Sequence, residues 1–213
     1  MAKGYWFINV DVVDPVDFIT YANANVAFLA ERKAKFLIAG GDFEHMEGIK
    51  RHRNVLVEWP SYDEAVAACN SPEYRKVAAL RGDCAITDLA VVEGYDGEQP
   101  SAQAPAESTH EFPRGYWMVR MDVTDPAAYD QYRAANVKAL AEFGGWFLVR
   151  SGRSVVVEGK GRSQYIVIAF PDLASAKACY HSFAYQQAFS RRKRAAEGDL
   201  IIISGYAGRQ PAA

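Results

Sequence analysis

Tyr74 and Arg81 stand seven residues apart in a helical stretch, and Tyr185 and Arg192 repeat the pair further along the chain. Seven residues are two helical turns, so each phenol shares a face with its guanidinium. A hydroxyl donor beside a planar cation is chemistry suited to a carboxylate or enolate oxygen. The same residues also have a purely structural use, in which the tyrosine packs its ring and the arginine pairs with a nearby acid. Asn25 and Asn136 pose a similar alternative. Each falls on the apolar stripe of a helix, where an amide needs a partner. That partner is either a ligand or a neighbouring backbone group.

Aromatic residues accompany these polar ones. Trp6 and Trp117 lie on the inward face of a strand, as core or as walls against an aromatic ligand, and Tyr21 and Tyr132 sit on the helix that carries the asparagines. Other chemistry is poorly represented. Asp42-Phe43-Glu44-His45 and His52 offer carboxylate and imidazole groups, but their spacing fits no metal motif and the segment reads as a mobile hairpin, so no metal site is expected. Cys69, Cys84 and Cys179 have neither disulfide nor zinc spacing and read as buried thiols. No Ser-His-Asp set, phosphate loop or dinucleotide fingerprint occurs, so no cofactor is expected.

Composition narrows the partners. A net charge of −2 and a short basic run, Lys50-Arg51-His52-Arg53, without interleaved aromatics give no footprint for nucleic acid or an anionic membrane surface. No apolar run approaches the ~20 residues of a membrane span and the N-terminus lacks a signal-peptide pattern. The expectation is a cytoplasmic protein with a small-molecule ligand.

The elements that position these groups are written twice. Shifting the sequence by 111 residues aligns 4–97 with 115–208 without a gap, and about thirty of the 94 positions are identical. Gly4-Tyr5-Trp6 matches Gly115-Tyr116-Trp117, Asp14-Pro15 matches Asp125-Pro126, and Glu47-Gly48 matches Glu158-Gly159. Two copies at this period are two units rather than a solenoid. The segments expected are a first unit over 1–97, a Pro-, Ala- and Ser-rich linker over 98–113 and a second unit over 114–213.

Within the first unit, residues 5–12 alternate as a half-buried strand. Asp14-Pro15 caps a helix that runs to about Lys33. Strands follow at 35–39 and 55–59, Ser61-Tyr62-Asp63-Glu64 forms a capping box, Ser71-Pro72 restarts the helix, and 87–93 is the last strand. This order, β-α-β-β-α-β, predicts an α+β fold of tandem ferredoxin-like units, each with a four-stranded antiparallel sheet and helices on one face. The bare sheet faces then cover each other, giving an intramolecular pseudo-dimer, with a further homodimer also open. Alternation puts Asn9, Glu58 and Glu93 of one unit against Arg120, Ala169 and Ser204 of the other, and Arg120 is expected to pair with Glu58 or Glu93.

Several stretches together resemble a known family: the tyrosine-bearing first strand followed by Asp-Pro, the helix with Tyr and Asn, Phe143-Gly144-Gly145-Trp146-Phe147-Leu148-Val149-Arg150, the Glu-Gly hairpin, and the ending Glu93-Gly94-Tyr95. They are similar to the bacterial domain-of-unknown-function 1330 family, of the dimeric α/β-barrel superfamily. The second copy matches that middle better than the first, and Ser204-Gly205-Tyr206 departs from the ending. The resemblance implies a pocket between sheet and helices in each unit. It would be bounded by Trp6, Tyr21, Asn25, Tyr74 and Arg81 in one copy and by Trp117, Tyr132, Asn136, Tyr185 and Arg192 in the other. Superfamily relatives include cofactor-free monooxygenases, isomerases, haem enzymes and ligand-binding regulators. The reading is a binder of a small acidic or aromatic metabolite, with a cofactor-free enzyme and then a structural interaction module as alternatives.

Overall fold

In the computed structural model, residues 2–211 are described. The first unit begins with β1 (Gly4–Val12) and α1 (Pro15–Ala30), whose N-cap Asp14 accepts from the backbone N–H groups of Val16 and Asp17. The helix ends three residues before Lys33, which turns the chain with a positive φ of 56°. There follow β2 (Lys35–Ala39), β3 (Phe43–Glu47), β4 (Arg53–Trp59), α2 (Tyr62–Asn70), α3 (Pro72–Ala79) and β5 (Ala85–Glu93). Ser61 and Ser71 cap α2 and α3 as their sequences predict.

The second unit repeats the order with β6 (Gly115–Val123), α4 (Pro126–Glu142), β7 (Trp146–Arg150), β8 (Ser154–Glu158), β9 (Gln164–Phe170), α5 (Leu173–His181), α6 (Phe183–Arg192) and β10 (Ala196–Ser204). Among the described residues, no helix is long and apolar enough to cross a membrane.

The sheets are antiparallel and five-stranded rather than four-stranded, in the orders β2-β4-β1-β5-β8 and β3-β10-β6-β9-β7. The fifth strand of each comes from the other unit. Phe43–Glu47, read in the sequence as a mobile hairpin, is β3, paired with β10, and β8 likewise crosses to pair with β5. Each exchanged strand ends in Glu-Gly. Gly48 has φ 77°, and a Cβ there would lie 2.2 Å from Asp199 Oδ1; Gly159 has φ 69°, and a Cβ there would lie 2.5 Å from Asp88 Oδ1. Glycine permits the left-handed turn and the close approach together. The carboxylates then accept from the next residues, Asp199 from Ile49 N–H at 2.7 Å and Asp88 from Lys160 N–H at 2.8 Å.

Three cores result. One lies between each sheet and its helices, and the third lies between the sheets, where Tyr5, Phe7, Leu56 and Val92 meet Tyr116, Met118, Val167 and Ile203. The alternation of β1 and β6 is therefore real on both faces.

Arg120 is buried where the two units meet, but its partners are not those expected. Its Nε lies 2.8 Å from Asp199 and its Nη1 3.0 Å from Asp88. Glu58 instead pairs with Lys3 and Glu93 with Arg153. Cross-strand register explains the difference. Asp199 is directly opposite Arg120 on β10, and Asp88 occupies the matching place opposite Asn9 on β5. Arg51 and Arg162 complete the network by binding Asp88 and Asp199.

Candidate functional site

All ten residues singled out in the sequence are buried, and they lie between sheet and helices in two groups of five. Each tryptophan is fixed by its indole N–H, Trp6 to Ala65 O and Trp117 to Ala176 O, both at 2.9 Å. The ring of Tyr74 lies 4.7 Å from that of Trp6, and the ring of Tyr185 lies 4.8 Å from that of Trp117.

The arginines are already engaged. Arg192 Nη2 meets Glu47 Oε1 at 2.5 Å and its guanidinium stands 5.4 Å above the Tyr132 ring. Arg81 pairs in the same way with Glu158 and stands 4.9 Å above Tyr21. Both carboxylates arrive on the exchanged strands. Each Tyr-Arg group is thus completed by the opposite unit. Burial works against the Arg192 charge, but the surrounding Tyr132, Tyr185 and Glu47 outweigh it and raise its pKa above the ordinary arginine value. Burial also pushes the phenols of Tyr21, Tyr74 and Tyr185 upward, which keeps them neutral donors at physiological pH.

The two groups are not equivalent. In the first unit Phe28 fills the space beside Trp6 and Tyr74, with ring centroids at 6.2 and 5.4 Å. Arg53 closes over the end of β2 and donates to Ala39 O at 2.8 Å. In the second unit Ala139 replaces Phe28, Gln164 replaces Arg53, and Tyr180 and Phe189 come in from α5 and α6. Tyr180 also donates to Glu47 at 3.2 Å, a bond that Cys69 does not supply in the first unit.

A cavity of about 30 Å3 remains in the second unit between α4 and the sheet. Trp117, Tyr132, Asn136, Phe147 and Tyr185 form its wall, with Arg133 and Arg150 among the lining residues. Volume on this scale admits a water molecule or two. Asn136 Oδ1 is buried with no hydrogen-bond partner, and Asn25 Oδ1 and the Tyr74 hydroxyl share that condition in the first unit.

Glu47, Glu158, Arg133 and Arg150 escaped the sequence reading. The first two carried a signal, since Glu-Gly stands in both copies. The arginines carried no signal in the repeat, because Ala22 and Ala39 hold their places in the first copy, although Arg150 closes the stretch that resembles the family. The three cysteines are buried as expected, and burial pushes the Cys69 thiol up to about 11 and the Cys179 thiol up to about 12.

The chain belongs to the DUF1330 family of domains of unknown function, which matches it twice, over residues 3–95 and 114–206. No curated protein matches the sequence. Among solved structures it is similar to an anthrone oxidase-like protein, at 10% identity and a TM-score of 0.59, covering 98% of this chain and 94% of that one. It is similar also to a candidate monooxygenase from Fusobacterium nucleatum, at 11% identity and a TM-score of 0.55, covering 98% and 99%. A dye-decolorizing protein from V. cholerae is a third, at 12% identity and a TM-score of 0.54, covering 94% and 93%. At these identities the likeness is one of fold, and the fold is of the dimeric α/β-barrel type with both halves on one chain.

Proposed function

We propose that this member of the family binds a compact aromatic acid in the second unit, between α4 and the sheet. The observation that carries the reading is Asn136 Oδ1, buried without a partner in a cavity walled by aromatic rings. An unmade hydrogen bond at a buried amide costs roughly 1–3 kcal/mol, and a ligand hydroxyl or carboxyl hydrogen would recover it. Rings of Trp117, Phe147 and Tyr185 suit an aromatic guest, while Arg133 and Arg150 offer charge to a carboxylate. Arg192 does not serve as that charge, being neutralised by Glu47. A six-membered ring is larger than this cavity of about 30 Å3, so its entry requires lining side chains to move.

Titration calorimetry with benzoate and salicylate, and with benzyl alcohol as the uncharged control, tests the reading. The acids are expected to bind, Arg150→Met to weaken them about tenfold, roughly 1.4 kcal/mol, and Asn136→Leu to abolish binding. Asn136→Leu should also stabilise the unliganded protein by ~1 kcal/mol, because it removes an unsatisfied buried group. If Asn136→Leu destabilises the free protein and leaves benzoate binding intact, the asparagine is structural and the reading is wrong.

A cofactor-free oxygenase is the second reading, favoured by the neutral Tyr185 phenol, which lies 3.4 Å from that of Tyr132 and could donate to a developing oxyanion. No carboxylate or imidazole lines the cavity among the described residues, so a proton acceptor would have to come from the substrate or from water. Oxygen uptake with anthrone as the probe distinguishes it from simple binding.

A further inference from the structure

Six large apolar side chains stand exposed on the first unit, and at four of the six matching places the second unit is polar. Val16 and Ile19 on α1 are 75% and 57% exposed, and Val26 continues their stripe one helix face along. Val13, Leu80 and Ile86 are exposed around the start of the same helix. Leu80 shares a depression with Asp14, Asp17 and Thr20, and Ile86 is in register with Asp11 on β1. The repeat supplies an internal control. At the six matching positions the second unit has Thr124, Ala127, Asp130, Val137, Arg191 and Glu197. One fold therefore tolerates a polar exterior here, so the apolar one is not a requirement of folding.

The spacing on α1 is specific. Val16, Ile19, Asn23, Val26 and Ala30 follow each other by three, four, three and four residues, opposite the face that buries Tyr21, Asn25, Phe28 and Leu29. That is the seam by which one helix packs along another, and a single asparagine within such a seam fixes its register. The six side chains expose on the order of 500 Å2, at the upper end of what a monomer leaves open. A standard interface takes about 800 Å2 per partner.

We infer that α1 is a dimerisation helix, docking antiparallel on α1 of a second copy of this chain about a twofold axis at Asn23. Antiparallel packing about Asn23 sets Val16 against Ala30 and Ile19 against Ala27 of the other copy. It also brings Asp14 and Asp17 at the start of one helix towards Lys33 at the end of the other, whereas parallel packing would set acid beside acid; Arg32 is turned to the opposite face, held by Glu31 and the Phe28 ring. The helix dipoles oppose as well. α4 lacks the same apolar seam, since Asp130 and Lys138 replace Ile19 and Ala27.

Sedimentation velocity on the full chain tests this. The wild type is expected at twice the 23.6 kDa of one chain. A double variant, Ile19→Glu with Ala27→Glu, sets carboxylate against carboxylate at both places where the copies would meet, on positions exposed in the single chain and with a good helix former. It should raise the dimer dissociation constant tenfold or more with an unchanged circular dichroism spectrum, and its melting temperature should no longer rise with protein concentration. Asn23→Cys should form a disulfide between copies on mild oxidation. A wild type that sediments as a single chain throughout the micromolar range overturns the inference, and so does a dimer that survives the double variant. Flotation of monomeric wild type with lipid vesicles would overturn it in favour of a membrane surface.

Discussion

The carboxylate of Glu47, carried by a strand from the first unit, lies 2.5 Å from the guanidinium of Arg192 on the last helix of the second. Arg81 and Glu158 repeat the contact in the opposite sense. Each unit thus brings its neighbour the counterion for a buried arginine, and the strand exchange and the polar site are one construction.

Removing either acid leaves a cation in a dry site, but the two removals should not cost the same. Arg192 is 2% exposed and its Glu47 partner is largely covered, whereas the Glu158 side chain is 41% exposed. Breaking a buried pair by deleting one member costs roughly 3–5 kcal/mol, with less for a pair that water reaches. Glu47→Ala is therefore expected at the upper end of that range and Glu158→Ala well below it, as measured by urea denaturation. Equal costs would mean that solvent reaches both arginines alike.

Between the units, Arg120→Asn, copying Asn9 of the first unit, should destabilise by about 2–4 kcal/mol at neutral pH. Arg51 and Arg162 stay with the two aspartates, which keeps the loss below that of orphaned charges. Burial pushes the Asp199 carboxyl upward, but hydrogen bonds from Arg162 and the Ile49 N–H, with the field of Arg120, pull it below its usual range. A depressed folded pKa gives stability that is complete above the unfolded value of about 3.9 and is lost as pH falls through the folded value. Without Arg120 the folded value rises. The gap between wild type and variant should accordingly be widest above pH ~5 and shrink towards pH 2. A gap that stays constant across urea titrations from pH 7 to pH 2.5 would refute the ionic account.

Gly48→Ala meets two obstacles, a positive φ and a Cβ within 2.2 Å of Asp199 Oδ1. Gly41 also has a positive φ, of 103°, but nothing within 4 Å of an added Cβ. Backbone strain alone costs about 1–3 kcal/mol. Gly41→Ala should stay within that range and Gly48→Ala exceed it, with a correspondingly larger drop in melting temperature. Matching drops would show that the Asp199 carboxylate and the Gly198 carbonyl oxygen, 2.3 Å from the added Cβ, both give way.

Local structure was legible because it is set by neighbours in sequence. Alternation in 5–12, Asp14-Pro15 and Ser71-Pro72 as helix starts, and the gapless repeat fix strands, helices and the pairing of bare sheet faces, since each rests on backbone caps and side-chain period. The inward positions of Trp6, Asn25, Tyr74 and Arg81 follow from the same periods. Partners distant in sequence were not legible. Phe43-Glu44-His45-Met46-Glu47 has no apolar alternation of its own, and becomes a strand only because β10 offers it an open edge. Alternation gave Arg120 its face but not its distance along the sheet, which the register with Asp199 settles. Whether Arg192 meets a ligand's acid or the protein's own is decided by Glu47, 145 residues away in the chain. Periodicity is a property of the chain itself; counterions, cavities and exposed seams arise only when separate elements compete for the same space.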